Sequence, residues 1–275
     1  MTLANDRIDR YCSDGSQSVQ GWCYPLDMFL LRVLDFIQKQ TNCQGDLCEV
    51  GVYHGKSLIL LNLLSRSHET VFAFDLFPDD MLAVAQGNLA TYANAPGIGA
   101  VRFLPGDSSE LSSAGLADTL RQPLRLLHID AGHEYHEVLH QLYVFAPFVT
   151  NHGVIVIDDY QDREYPGIEA AVYEFVRQQS PRRFVPFLAG GNKLFLCHPN
   201  EAALYQAAAI EHQQMRDTCR ITRIDDSFVL IAASREPMTN VQVKAVLEAN
   251  WTPAEYAVDM IALGMNAKRF GARQQ

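Results

Sequence analysis

Positive charge is scarce in this chain. Lys and Arg together number 22 against 32 Asp and Glu, a net charge of −10 at neutral pH. No Lys/Arg-rich run offsets the deficit locally, so no nucleic-acid partner is expected. Nor does any apolar run approach the roughly 18 residues of a membrane span, so no membrane role is expected either. The opening Met-Thr-Leu-Ala-Asn-Asp has no signal-peptide pattern. Six cysteines (12, 23, 43, 48, 197 and 219) are scattered, and no second close pair joins Cys43 and Cys48 to complete a zinc-type spacing. Reduced thiols in a cytoplasmic protein are the expectation. Internal repeats and low-complexity tracts are absent.

What is present is an ordinary globular composition, 48% hydrophobic and 20% charged over 275 residues. That length holds one large α/β domain, or one domain and an extension. Residues 1–24 read as polar and irregular, and 25–40 as a helix with Pro25 in its first turn. Strand-like and helical segments then alternate: strands at 46–51, 70–76, 101–104, 124–130 and 154–158, helices at 57–65, 81–93, 136–148 and 167–179. Such alternation implies a mainly parallel sheet covered on both faces. Segments 183–188 and 193–197, joined by Ala-Gly-Gly-Asn, read as a closing antiparallel hairpin. Beyond 200 the rhythm changes. A helix is expected at 201–216, one or two strands at 221–234, and short helices at 241–250 and 253–264. Three parts are therefore expected: an N-terminal helical or lid segment (1–45), the α/β domain (46–199) and an extension (200–275).

Chemistry concentrates in 126–160. Leu126-Leu-His-Ile-Asp130 runs into Ala-Gly-His133-Glu-Tyr135, and Gly153-Val-Ile-Val-Ile157 ends in Asp158-Asp159-Tyr160. In a parallel sheet the carboxyl ends of such strands share one edge, where open α/β folds bind ligands. Asp130, Asp158 and Asp159 then converge beside His133, and three converging carboxylates repel unless a cation holds them.

The first loop, Glu49-Val-Gly51-Val-Tyr53-His-Gly55-Lys-Ser57, spaces its glycines as Gly-x-x-x-Gly. A dinucleotide fingerprint needs Gly-x-Gly-x-x-Gly, and a P-loop needs one more residue before Gly-Lys-Ser. Glu49 suits a cationic or hydroxyl ligand. Asp75 ends the second strand, where a ribose diol is held. Asp107 and Ser108 follow the next strand, where a carboxylate can accept from an exocyclic amine. The set Glu49, Gly51, Gly55, Asp75 and Asp107 describes a nucleoside with a positive or neutral tail.

Over roughly residues 25–198 these motifs resemble those of class I S-adenosylmethionine-dependent methyltransferases. Within that superfamily, His-Ile-Asp130-Ala-Gly-His133-x-Tyr135 and Ile-Asp158-Asp159-Tyr160 resemble the macrocin O-methyltransferase type, metal-dependent enzymes that methylate hydroxyls, often on sugars of natural products. The resemblance implies an α/β, Rossmann-like class I methyltransferase fold. Its sheet would be mainly parallel and seven-stranded, with helices on both faces and a C-terminal antiparallel hairpin. S-Adenosylmethionine would lie on Glu49, Gly51, Tyr53, Gly55, Ser57, Asp75, Asp107, Ser108 and Asp130. Asp130, Asp158 and Asp159 would bind Mg²⁺ or another divalent cation. In some members the His three residues after the first Asp is the general base, and in others an Asp takes that role; this chain keeps His133, so His133 and Asp130 are the expected catalytic residues. A small-molecule hydroxyl acceptor and a homo-oligomer, dimer or larger, complete the expectation.

Blander readings stand beside these. Asp130 or Asp158-Asp159 can cap a helix or face solvent. His133, His136 and His140 lie at spacings that a zinc site uses, but no cysteine or motif glutamate completes one. Tyr135 and Tyr160 either line the site or cover the sheet edge, His54 and Lys56 are read as positioned by the loop and solvated, and Trp22 and Tyr24 as packing or part of a lid. The alternative functions are a catechol-type O-methyltransferase acting on an aromatic diol, which usually shows Asp-Asn at the second pair, and a non-catalytic nucleoside-binding protein. A nicotinamide-dependent oxidoreductase is disfavoured by the glycine spacing.

Overall fold

The computed structural model describes residues 5–232. In chain order it contains α1 (Asp6–Ser13), α2 (Pro25–Gln40), β1 (Asp46–Val50), α3 (Lys56–Leu64), β2 (Thr70–Asp75), α4 (Met81–Tyr92) and β3 (Ala100–Pro105). Then come α5 (Ser113–Leu116), β4 (Leu124–Ile129), α6 (Tyr135–Phe145), β5 (Val149–Ile157), α7 (Pro166–Gln178), β6 (Val185–Gly190) and β7 (Lys193–Cys197). The last are α8 (Pro199–Ile210), α9 (Gln213–Thr218), β8 (Arg220–Ile224) and β9 (Ser227–Ile231).

All strands join one nine-stranded sheet in the order β3-β2-β1-β4-β5-β7-β6-β9-β8. β1 to β5 run parallel, and β7 lies antiparallel to both β5 and β6. This is the Rossmann-like class I methyltransferase fold, with its antiparallel hairpin at 185–197. Two further strands extend the expected sheet: β9 pairs with β6, and β8 with β9.

Strand residues alternate between two cores. Leu47 of β1 packs on one face with Leu30 and Leu34 of α2, Leu58 of α3 and Tyr205 of α8. Cys48 and Val50 pack on the other with Val138 and Leu142 of α6 and Ile168 and Phe175 of α7. Both faces are thus dry, which explains why these strands read as continuous apolar runs. The chain order reverses between β1 and β4, so a crevice opens outside their carboxyl ends, where ligands bind in such sheets.

Three local expectations change. The 1–24 segment is not irregular throughout: Asn5 caps α1 by accepting from Arg7 and Ile8 N–H, and Ile8 and Tyr11 are buried. Tyr11 donates to the Lys56 carbonyl at 2.6 Å, fastening α1 to the start of α3. The single helix expected at 201–216 breaks at His212, whose extended backbone separates α8 from α9. The 221–234 segment resolves into a hairpin turning at Asp225, which adopts φ +53°. The helices expected at 241–250 and 253–264 lie outside the described residues. Among those residues no helix is long and apolar enough to cross a membrane.

At the opposite end of the sheet from the crevice, Arg125 is fully buried at the start of β4. Its guanidinium grips Glu69 with two hydrogen bonds, at 2.7 and 2.9 Å, donates to Gln38 at 2.7 Å, and lies 3.2 Å from Asp35. The bidentate geometry joins α2, β4 and the turn before β2. Arg125→Met should lower stability by about 3–5 kcal/mol, because it removes the buried cation that Glu69 and Asp35 share and leaves them only Arg66 and Lys39. Urea denaturation checks this, and an unchanged midpoint would remove the network's structural role.

Candidate active site

A cavity of about 740 Å³ opens at the carboxyl ends of β1, β2, β4 and β5. Asp75, Asp107, Ser108 and Gln141 line one part of it. Asp130, His133, Asp158, Asp159 and Tyr165 line another, and residues 20–22 with Tyr24 form an outer strap. Trp22 is 72% exposed, so the strap presents an aromatic face to solvent. The strap is held by Lys56, which donates to the Gly21 carbonyl at 2.7 Å, and by the stack of Trp22 on Tyr53. Lys56 is therefore tied down rather than simply solvated, and His54 stacks on Tyr53 at 4.0 Å between centroids.

The part of the cavity beside the first loop is organised by Asp75. Its Oδ2 accepts from the Val52 and Tyr53 N–H groups at 2.6 and 3.0 Å, and its Oδ1 from Phe77 N–H at 2.7 Å. One carboxylate thus sets both the first loop and the loop after β2. Tyr53 sits at φ +51°, a left-handed conformation that a non-glycine residue keeps only where its surroundings hold it. Asp107 is exposed, and its hydrogen bonds with Ser109 lower its pKa below the ordinary carboxylate range. Ser108 Oγ accepts from Gln141 Nε2 at 3.0 Å, while Gln141 Oε1 is buried without a partner. Ser57 borders the cavity at the start of α3.

Two expected cofactor residues do not border the cavity, and a third is required for a reason other than ligand space. Glu49 is fully buried and does not border the cavity; its Oε1 lies 2.8 Å from His128 Nδ1. Strand alternation turns this side chain into the interior, where His128 of the neighbouring strand meets it. Gly55 does not border the cavity either. It caps α3 at φ +87°, a backbone requirement for glycine. Gly51 does border the cavity, but at φ +92° a Cβ there would overlap the Asp130 carbonyl. Close packing of β1 on β4 demands this glycine. A side chain at 51 would therefore break the fold before reaching a ligand.

The carboxylates do converge, but not as one set of three. Asp158 is buried and ion-paired with Lys193 Nζ, itself only 1% exposed. Burial alone would raise the Asp158 pKa, but Lys193 and then His128 outweigh it and hold the carboxylate well below its ordinary range. For Lys193 burial works against the charge and Asp158 prevails, so its pKa is raised. Asp130 stands next to this pair. Burial, then the Asp158 charge, push its carboxyl well above the ordinary range. The expected cation among the three acids is thus in part the chain's own lysine. Nothing in the sequence pattern marked it, because Lys193 opens an apolar strand and meets Asp158 only through the pairing of β5 with β7.

On the open side, His133 Nε2 lies 3.1 Å from Asp159 Oδ2. Its ring stacks on Tyr165 at 4.1 Å between centroids. The Asp159 hydrogen bond raises the His133 pKa, against partial burial. Asp130, His133 and Asp159 each offer a ligand atom, all within 4.8 Å of one another, as do His128, Asp130 and Asp158. Among the described residues His136 and His140 join no such group; His140 is occupied at 3.0 Å by the Leu111 carbonyl. Tyr160 is buried against the second core, and Tyr135 is partly exposed and bonded to Glu174, so neither lines the cavity.

A family model described as a methyltransferase domain matches residues 48–160, the span from the first loop to the end of β5. The matched span is less than half of the chain, and it coincides with the strands whose carboxyl ends bear the cavity. The chain is similar to an uncharacterized protein of Acanthamoeba polyphaga mimivirus, 30% identical over 86 residues, which are 31% of this chain and 38% of that protein. Its structure is similar to apo CalS11, a TDP-rhamnose 3'-O-methyltransferase of calicheamicin biosynthesis, at 17% identity and TM-score 0.50, over 69% of this chain and 85% of that one. The O-methyltransferase NovP is 22% identical, with TM-score 0.48, over 62% and 80% of the two chains. At these identities the structural likeness is one of fold.

Asp75→Ala should weaken S-adenosylhomocysteine binding by about 1.5–3 kcal/mol, the range for a hydrogen bond to a charged group. Calorimetric titration reads the change, and an unaltered isotherm would place the ribose elsewhere.

Proposed function

We propose that this protein transfers a methyl group from S-adenosylmethionine to a hydroxyl of a small molecule, a sugar or other natural product. The observation that carries the reading is the His133–Asp159 pair in the same cavity as Asp75 and Asp107. An alcohol is a poor nucleophile until its proton has somewhere to go. With Nε2 engaged by Asp159, the other ring nitrogen, Nδ1, is the atom that can accept that proton. This arrangement, an imidazole oriented by a carboxylate, is the general logic of base activation.

In the reaction the acceptor oxygen attacks the methyl carbon as the carbon–sulfur bond breaks. The sulfonium leaves as neutral S-adenosylhomocysteine, and the hydroxyl proton passes to His133. The remaining acceleration comes from holding oxygen, carbon and sulfur in line. Tyr165 fixes the imidazole plane, and the strap of residues 20–24 restricts water. The fold shared with CalS11, named for a sugar substrate, is consistent with a sugar acceptor.

A divalent cation, Mg²⁺ by the chemistry of its oxygen ligands, is part of this proposal. The donor set supports it at Asp130 and Asp159, whose carboxylates lie with His133 within 4.8 Å. Asp158 is the poorest ligand of the expected three, since Lys193 already neutralises it. When bound, such an ion lowers the pKa of a coordinated hydroxyl.

His133→Ala should cut kcat by about 10²–10⁴ and leave S-adenosylhomocysteine affinity unchanged. A variant keeping most of its kcat would assign the base elsewhere. EDTA should abolish turnover and Mg²⁺ restore it, with cofactor titrations unaffected; full turnover after exhaustive chelation would remove the ion from the mechanism.

A further inference from the structure

The hairpin joining β6 to β7 reads in the sequence as a turn that closes the sheet, yet its tip reaches the carboxylates of the site. Asn192 Nδ2 donates to Asp159 Oδ1 at 2.8 Å. The Asn192 carbonyl accepts from Tyr160 N–H at 2.8 Å. The next residue, Lys193, holds Asp158. Asp158 Oδ1 in turn accepts from Asp159 N–H at 2.9 Å. Asp159 is therefore gripped at its side chain by Asn192 and at its backbone by the Asp158–Lys193 pair.

That grip has something to resist. Asp159 sits at φ +51°, in the left-handed region, which a non-glycine residue keeps only where its surroundings impose it. In this bend Asp159 presents Oδ2 to His133 Nε2 while Oδ1 faces Asn192. The tip itself is pinned from behind: a Cβ on Gly191 would overlap Asp27 Oδ1, and Asp27 Oδ2 accepts from Tyr24 N–H at 2.8 Å. Hairpin, strap and carboxylates are one connected assembly.

We propose that Asn192 and Lys193 are positioning residues of the reaction centre, which hold Asp159 in its left-handed bend and through it orient the His133 imidazole. The inference rests on the reading of His133 as the base, but its geometry can be tested without an acceptor. Lys193 fixes the Asp158 carboxylate that receives the Asp159 amide. Asn192 supplies the one side-chain donor that the structure shows on Asp159 Oδ1. Neither touches the reacting atoms.

The test is ¹⁵N NMR of the full chain, labelled at histidine and saturated with S-adenosylhomocysteine. In the wild type His133 should show one ordered tautomer with the proton on Nε2. In Asn192→Ala the ring-nitrogen shifts should move towards those of free histidine. Asn192→Asp is the sharper variant. Aspartate supports a turn as well as asparagine does, but it replaces the donor by a second carboxylate facing Asp159. A merely structural hairpin predicts wild-type His133 shifts in Asn192→Asp, and that result would overturn the proposal. Lys193→Met gives the same readout by the other route: a lost tautomer preference supports the proposal, and an unchanged one counts against it. Cofactor binding by each variant establishes that it is folded. In turnover, Asn192→Ala should lower kcat about 10–100-fold at unchanged acceptor KM, the usual effect of removing a partner that orients a functional group. Should His133→Ala keep its kcat, the base assignment fails while the NMR result stands. If His133→Ala is impaired but the Asn192 and Lys193 variants leave the His133 shifts untouched, the hairpin inference alone fails.

Discussion

A buried ammonium organises the site. Lys193 and Asp158 face each other in the buried interior, and an isolated charge there would cost several kcal/mol. Each charge is tolerated because the other is present. The line continues through His128 to Glu49, with carboxylates 3.6 and 2.8 Å from the two ring nitrogens of His128. Carboxylates and nitrogen bases alternate across β1, β4, β7 and the end of β5, so four strands must be in register for these groups to meet. Asp130, beside this line, inherits the repulsion of Asp158 and is the carboxyl that most needs a further positive partner. The proposed methyl donor and divalent ion are both cations, and either would offset that repulsion.

Backbone geometry does the complementary work on the cofactor side. Gly51 allows β1 to leave the sheet against the Asp130 carbonyl, and Asp75 gathers the first loop by accepting from successive N–H groups. A carboxylate already ordered by backbone donors presents its remaining lone pairs in fixed directions, which reduces the entropy lost when a ribose binds. The loops that carry chemistry are thus mounted on strands buried on both faces, and rigidity passes from core to site.

Much of this was legible in sequence because the signals are local. Alternation of apolar runs with helical spacing marks a parallel sheet, and acids at strand ends mark its ligand edge. Asp75, Asp107, Ser108, Asp130, His133 and Asp159 all border the cavity for that reason. What sequence missed depends on partners distant along the chain. Glu49 has its partner 79 residues away on β4, and Asp158 has Lys193 35 residues away. A glutamate before a glycine loop looks the same whether it faces a ligand or a buried histidine. The α1 helix was missed because only Ile8 and Tyr11 of its residues are buried, too few for a periodic pattern. The hairpin strands were found by their pattern, while the role of their tip depends on β5 and β7 lying side by side.

In the proposed reaction one cavity holds the methyl donor at the Asp75–Asp107 end, with its sulfonium directed at Asp130 and His133. A crystal structure with S-adenosylhomocysteine tests it most directly. The account predicts the ribose hydroxyls on Asp75, the adenine beside Asp107 and Ser108, and the sulfur facing the open side of Asp130. A nucleoside bound in the reverse orientation, or outside this cavity, would contradict it.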